Sequence, residues 1–269
     1  MFDLTGKTAV VTGGTGVLGR VMCLGLAKAG ARIAVLSTTE AKTLAVAEEI
    51  RAAGGEAIGV AADVLDPAAL AKAADKVLAE FGQVDILVNG AGGNRPQAIT
   101  NPQQTFFDLT PDALQWVFNL NFLGTLLPSQ AFGKSMVERK SGVIVNVSSM
   151  ASYRPLTRIV AYAGAKSAIN NFTQWLAVHM ALGYSPTIRV NAIAPGFFLG
   201  EQNRDLLIDK NTGDLTPRGE QIISHTPMHR FGDPDDLVGT LLWLTSDASR
   251  FVTGIVVPVD GGFSAYSGV

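Results

Sequence analysis

At 269 residues the chain has the length of one large α/β domain and enough material for a sizeable core. Apolar residues make up 47% and charged residues only 16%, which excludes a disordered chain, and a net charge of −2 with no basic stripe argues against nucleic acid and anionic membranes as partners. The single cysteine, Cys23, rules out an internal disulfide, no apolar run reaches the roughly 18 residues that span a bilayer, and residues 1–7 lack a signal pattern, so a soluble cytoplasmic protein is expected.

The first apolar run, residues 8–12, reads as a strand and leads into Gly13-Gly14-Thr15-Gly16-Val17-Leu18-Gly19 and a helix over 17–29. Gly14, Gly16 and Gly19 fit G-x-G-x-x-G, the turn whose backbone N–H groups approach a pyrophosphate at a helix N-terminus. The second strand, 32–36, ends in Ser37-Thr38-Thr39-Glu40, where dinucleotide folds place an acid for the ribose or an arginine for a 2′-phosphate. Ser37 is neutral, so the choice between NAD and NADP stays open. A helix over 40–53 and a strand over 56–61 follow, with Asp63 and Val64 at the adenine end.

Beyond a helix at 67–81, the strand 85–89 runs into Asn89-Gly90-Ala91-Gly92. A long helix spans 112–139, a strand 143–147, a second long helix 161–182 and a strand 188–192. Residues 195–230 hold no strand and are rich in Gly and Pro, which reads as a substrate lid (about 197–230) before a helix at 234–245 and a last strand at 254–259. Strands alternating with helices predict a single α/β domain over 1–269, a Rossmann-type doubly wound parallel sheet of seven strands in the order 3-2-1-4-5-6-7.

Tyr162 and Lys166 are four residues apart, hence one turn apart on one helix face. An ammonium beside a phenol favours the phenolate and lowers the tyrosine pKa from about 10, yielding an acid/base for neutral pH. Ser149 follows the fifth strand and Asn89 ends the fourth, both at carboxyl ends, where ligands bind in such sheets. The chain shows no G-x-S-x-G elbow, no Gly-Lys-Ser/Thr phosphate loop and no metal-ligand spacing.

Together the glycine turn, Asn89-Gly-Ala-Gly, Asn119-Leu-Asn121, Asn146-Val-Ser-Ser149, Tyr162-x-x-x-Lys166, Arg189-Val-Asn191 and Pro195-Gly196 resemble the short-chain dehydrogenase/reductase family over essentially the whole chain. The resemblance implies an NAD(P)-dependent oxidoreductase with Tyr162 as acid/base and Lys166 tuning it and bonding the nicotinamide ribose. It further implies Ser149 orienting the substrate oxygen and Asn121 holding a water in a proton relay. Asn89–Gly92, Pro195, Gly196 and Phe198 would line the cofactor. The long helices 112–139 and 161–182 would pair across subunits of a homotetramer.

Two positions depart from the family pattern. Glycine usual at the place of Val17 stands one residue earlier, and Gly200 replaces the threonine that often bonds the carboxamide. Asn94, Arg95, Arg154, Gln202 and Asn203 give the substrate region amide and guanidinium donors suited to a small anionic substrate. The strings 89–94, 118–124, 194–199 and 261–269 look like the sugar-acid branch of the family, implying D-mannonate and D-fructuronate as the pair. Left open are a gluconate 5-dehydrogenase, a 3-oxoacyl carrier-protein ketoreductase and a non-enzymatic dinucleotide sensor.

Overall fold

The strands are β1 (Thr8–Thr12), β2 (Arg32–Ser37), β3 (Ala57–Ala61), β4 (Ile86–Asn89), β5 (Gly142–Val147), β6 (Ile188–Pro195) and β7 (Val256–Val259). All pair in parallel, in the order β3-β2-β1-β4-β5-β6-β7. The helices are α1 (Val17–Lys28), α2 (Glu40–Ala52), α3 (Pro67–Phe81), α4 (Pro111–Glu138), α5 (Val160–Gly183), α6 (Glu201–Leu207), α7 (Pro217–Ser224) and α8 (Asp236–Thr245). This computed structural model describes residues 2–268, with the side chains at 201–203 outside the description. Among the described residues no helix is long and apolar enough to cross a membrane.

Alternate strand residues point to opposite faces. Val11, Ile33, Val35, Val88 and Val145 meet Met22, Leu26, Ile50 and Leu241 from α1, α2 and α8. Val10, Leu36, Leu87, Ile144 and Val190 meet Leu70, Phe132 and Phe172 from α3, α4 and α5. Both faces are thus covered, which is why the central strands are apolar throughout.

The expected sheet order holds, and two expectations are refined. β6 runs three residues further, because residues 192–195 register against β7 and a proline at a strand end forgoes no ladder bond. The 195–230 segment contains α6 and α7 rather than only loop. Thr216 caps α7 by accepting from the Gly219 N–H at 3.1 Å, and Pro217 takes the first helical position, where its missing N–H costs nothing. Pro217 and Gly219, which read as loop formers, are here a helix start.

A buried amide relay fastens both long helices to the sheet below its carboxyl edge. Asn89 donates to Ser129 Oγ on α4 and to Asn146 Oδ1 on β5, each at 2.9 Å, and Asn146 donates to Thr173 Oγ1 on α5 at 2.9 Å. Asn146 and Thr173 are fully buried, so removing one partner leaves desolvated groups unpaired. Asn146→Ala is expected to cost about 2–4 kcal/mol in urea unfolding, whereas Asn211→Ala on the exposed lid is expected to stay within about 0.5 kcal/mol.

Candidate active site

β1 delivers the glycine turn to the start of α1. Gly13 has φ +66, and a Cβ there would stand 2.7 Å from the Gly90 carbonyl, so this position requires glycine on both counts. Thr12 Oγ1 accepts the Gly90 and Ala91 N–H groups at 3.1 Å, locking the loop after β4 against the turn. Gly16 is the N-cap of α1, and that helix start carries neither a side-chain cap nor an acid in its first turn. Its positive end therefore faces the turn uncompensated, as a pyrophosphate requires. At the end of β2 the Ser37 hydroxyl is buried without a partner among the described residues, a fit for a ribose hydroxyl. Thr38 beside it is exposed. Beyond β3, Asp63 accepts the Leu65 N–H at 2.9 Å, and Val64 is buried against α4 at Gly124. These features fit a nicotinamide dinucleotide laid across the carboxyl edge of the sheet.

The chemical centre lies on the far side of β4. Ser149 caps the short turn Met150–Ser152 after β5, accepts the Ala151 N–H at 3.1 Å and stands near enough to the Tyr162 hydroxyl to draw its pKa down. The neighbouring Ser148 hydroxyl donates to Asn170 Oδ1 at 2.5 Å, and Asn170 donates to Ser152 Oγ at 2.8 Å, so α5 holds this turn in place. Lys166 is 4% exposed, and its Nζ donates to the Val147 carbonyl at 2.7 Å and lies 5.4 Å from the centre of the Tyr162 ring.

The protonation pattern corrects the expectation of a lowered tyrosine pKa. Tyr162 keeps some accessible surface, yet its surroundings are crowded enough that burial pushes its pKa up; the Ser149 hydroxyl pulls the other way without reversing the sign. Burial brings Lys166 down to about 7. Desolvation opposes both charged forms, and the amine faces a carbonyl rather than the phenolic oxygen.

Asn121, fully buried on α4, donates through Nδ2 to the Gly93 and Val117 carbonyls at 2.7 and 2.8 Å and accepts the Gly93 N–H at 3.3 Å. Both amide protons are therefore committed to protein, and its evident work is to clamp the loop after β4. A Cβ on Gly92 would stand 2.6 Å from Asn121 Oδ1 and 3.4 Å from Lys166 Nζ, so that glycine is where the loop, the asparagine and the lysine meet. Sequence reasoning missed Asn170, which carries no motif; its role emerges only from its contacts with Ser148 and Ser152.

The model of the short chain dehydrogenase family matches residues 7–211. The chain belongs to that family. The uncharacterized oxidoreductase UxuB of Bacillus subtilis (strain 168) is 53% identical over 99% of this chain and 98% of its own. A solved structure from Haemophilus influenzae with bound NAD, provisionally assigned as a D-mannonate oxidoreductase, is 45% identical, with TM-score 0.92 over 99% of this chain and 98% of that one. The 2-dehydro-3-deoxy-D-gluconate 5-dehydrogenase of Dickeya dadantii is 35% identical over 98% of each chain. Other solved relatives carry NADP. This short-chain dehydrogenase is an NAD(P)-dependent oxidoreductase acting on CH–OH groups of sugar acids.

The remaining predicted residues of this dehydrogenase divide sharply. Asn94 accepts the Arg95 N–H at 2.9 Å, and the Arg95 guanidinium lies 4.6 Å over the Trp116 ring. Arg154 donates to the Ser264 carbonyl at 3.2 Å, tying the turn after β5 to the C-terminal tail. Phe198 is a core residue, 7% exposed, beside Gly232, while Pro195 and Gly196 end β6 against Val259 and Asp260. Gln202 and Asn203 have side chains outside the described residues. A cavity of about 380 Å³ under the lid is lined by Phe197, Met228, Arg230 and Asp260 and by none of Asn121, Ser149, Tyr162 or Lys166, so it stands apart from the chemistry. The two departures from the family pattern touch each other: a Cβ on Gly200 would stand 3.3 Å from Val17 Cγ2.

A lysine with its folded pKa near 7, against 10.5 when free, binds fewer protons folded than unfolded between those values. Stability therefore rises with pH across that window. Relative to Lys166→Met, the unfolding free energy of the wild-type protein without cofactor is expected to climb between pH 7 and 9 by up to roughly 1.4 kcal/mol per unit. Parallel profiles in urea titrations would remove the buried-amine account.

Proposed function

We propose that this enzyme interconverts D-mannonate and D-fructuronate by hydride transfer at a secondary alcohol. The observation that carries the reading is the Ser149–Tyr162–Lys166 group beside the glycine turn, in a chain whose 45% identical relative bears the D-mannonate assignment. Bound nicotinamide would accept or supply the hydride. The chain's own residues do the rest. Ser149 holds the substrate oxygen next to the Tyr162 hydroxyl. In the reductive direction Tyr162, kept protonated by its surroundings, gives its proton to the oxygen as the carbonyl becomes an alcohol. In the oxidative direction its phenolate takes that proton back. Lys166, anchored on Val147, bonds the nicotinamide ribose and adjusts the charge beside the phenol. Asn121 acts on the site through the Gly92–Gly93 loop.

A second reading, a 5-dehydrogenase for another six-carbon acid, is favoured by the 35% identical 2-dehydro-3-deoxy-D-gluconate relative. Steady-state kinetics with D-mannonate, D-gluconate, 2-dehydro-3-deoxy-D-gluconate and an acetoacetyl thioester, each with NAD(H) and NADP(H), separate these. The highest kcat/KM is expected for D-mannonate and D-fructuronate, and a preference for any other pair replaces the assignment. Tyr162→Phe is expected to lower kcat at least about 100-fold while cofactor still binds; a sensor would show no turnover to lose.

The reading extends to a homotetramer. Trp175, Val178 and Leu182 on α5 are 56%, 59% and 85% exposed, and Trp175 stacks on Phe172 and His179 beside a groove of about 1020 Å³ between α3, α4 and α5. An apolar face of this kind marks an interaction surface, and a second copy is its proposed occupant. Light scattering at micromolar concentration is expected to give a tetramer, reduced in mass by Trp175→Glu.

A further inference from the structure

Both ends of the lid come together on one ring. Phe197, where the chain leaves β6, and His225, the C-cap of α7, each meet Phe263 edge-on, with ring centres 5.2 and 4.7 Å away. Tyr266 adds a further ring, 5.2 Å from His225. The lid is therefore a loop closed at its base by a residue of the C-terminal tail.

The turn that carries Phe263 is itself held firmly. The Asp260 carboxylate accepts the Gly262 and Ser264 N–H groups, both at 2.9 Å, and the Asp260 carbonyl accepts the Phe263 N–H at 3.2 Å. Gly261 and Gly262, with φ +63 and +88, give the chain the left-handed path this turn needs. On one side the Gly261 carbonyl accepts the Met228 N–H at 3.2 Å, just past the lid's C-terminal stem. On the other, Arg154 donates to the Ser264 carbonyl, and the Tyr153 hydroxyl donates to the Val256 carbonyl of β7 at 2.8 Å. Tyr153 and Arg154 directly follow the Met150–Ser152 turn that Ser149 caps. The tail turn thus joins the base of the lid to the segment carrying Ser149.

The seam between lid and tail is not filled. The cavity of about 380 Å³ is lined by Phe197, Thr226 and Met228 from the lid's stems and by Asp260, Gly261 and Gly262 from the tail turn. Close-packed interiors resist displacement, so a void between a hinge and its anchor is where movement finds room.

We propose that Phe263 is the positioning residue of the lid. Its ring gathers the two stems on the tail turn and so sets how the lid closes over substrate at Ser149 and Tyr162. Phe263 acts through Phe197 and His225, without touching the substrate. The assignment rests on the reading of residues 197–230 as a substrate lid.

Steady-state kinetics, with the acid that the substrate panel selects, and limited trypsin digestion test it together. Arg204 and Lys210 are exposed cutting sites in the lid, and Lys42 on α2 is an exposed site remote from it in the chain. Phe263→Ala is expected to raise KM about 10-fold, the scale of losing two edge-to-face ring contacts. Its kcat should stay within about threefold and its NAD dissociation constant within about twofold. Cutting at Arg204 and Lys210 should quicken at least about fivefold, with cutting at Lys42 unchanged, as local opening predicts. Phe263→Tyr, which keeps the ring, should restore KM to within about twofold of wild type. If Phe263→Ala does not fold, His225→Ala decides by the same signature. Unchanged KM with unchanged lid cutting would overturn the role of Phe263 and leave the lid reading standing. Faster lid cutting with unchanged KM would overturn the lid reading and the proposal with it. Equal acceleration at Lys42 would reduce Phe263 to a packing residue, and a raised KM without faster lid cutting would place it against the substrate; either overturns the proposal.

Discussion

The Lys166 amine, stripped of water and held on the Val147 carbonyl at 2.7 Å, is the contact around which the site is assembled. It ties the first turns of α5 to the end of β5, and thereby sets where Tyr162 stands relative to Ser149. Dehydrating an amine is costly, and its pKa near 7 records that cost. The chain tolerates it because the same burial places a tunable charge one turn from a phenol. A lysine left in solvent would keep its proton and do nothing for its neighbour.

Around this contact the protein arranges amides rather than ions. Asn89, Asn146, Ser129 and Thr173 join β4, β5, α4 and α5 below the site, and Asn121 clamps Gly93 above it. Neutral hydrogen bonds give rigid positions without adding fixed charge to a region where protonation must remain adjustable. The buried carboxylate of Asp85, paired with Arg139 at 2.7 Å, lies at the opposite, amino end of the sheet. The fold thus separates ionic anchoring from proton chemistry.

Much of this is legible in the chain. β-branched runs and alanine-rich stretches announce the sheet because strands buried on both faces must be apolar. Tyr162 and Lys166 declare themselves because helical geometry turns a spacing of four into adjacency. The direction of the tyrosine shift is not legible, since spacing says nothing about desolvation or about which oxygen the amine chooses. The helical lid is hidden for a related reason: Pro217 and Gly219 break helices in general and start one here, under a Thr216 cap.

Val17 at the mouth of the glycine turn and Gly200 at the start of the lid form a steric pair. The methyl groups that one position adds occupy the room that the other gives up. Restoring the usual residue at either site alone would leave a gap or a clash between turn and lid. A side chain at position 200 would press on the Val17 methyls, so the packing accommodates a change at one position most easily when the other changes with it.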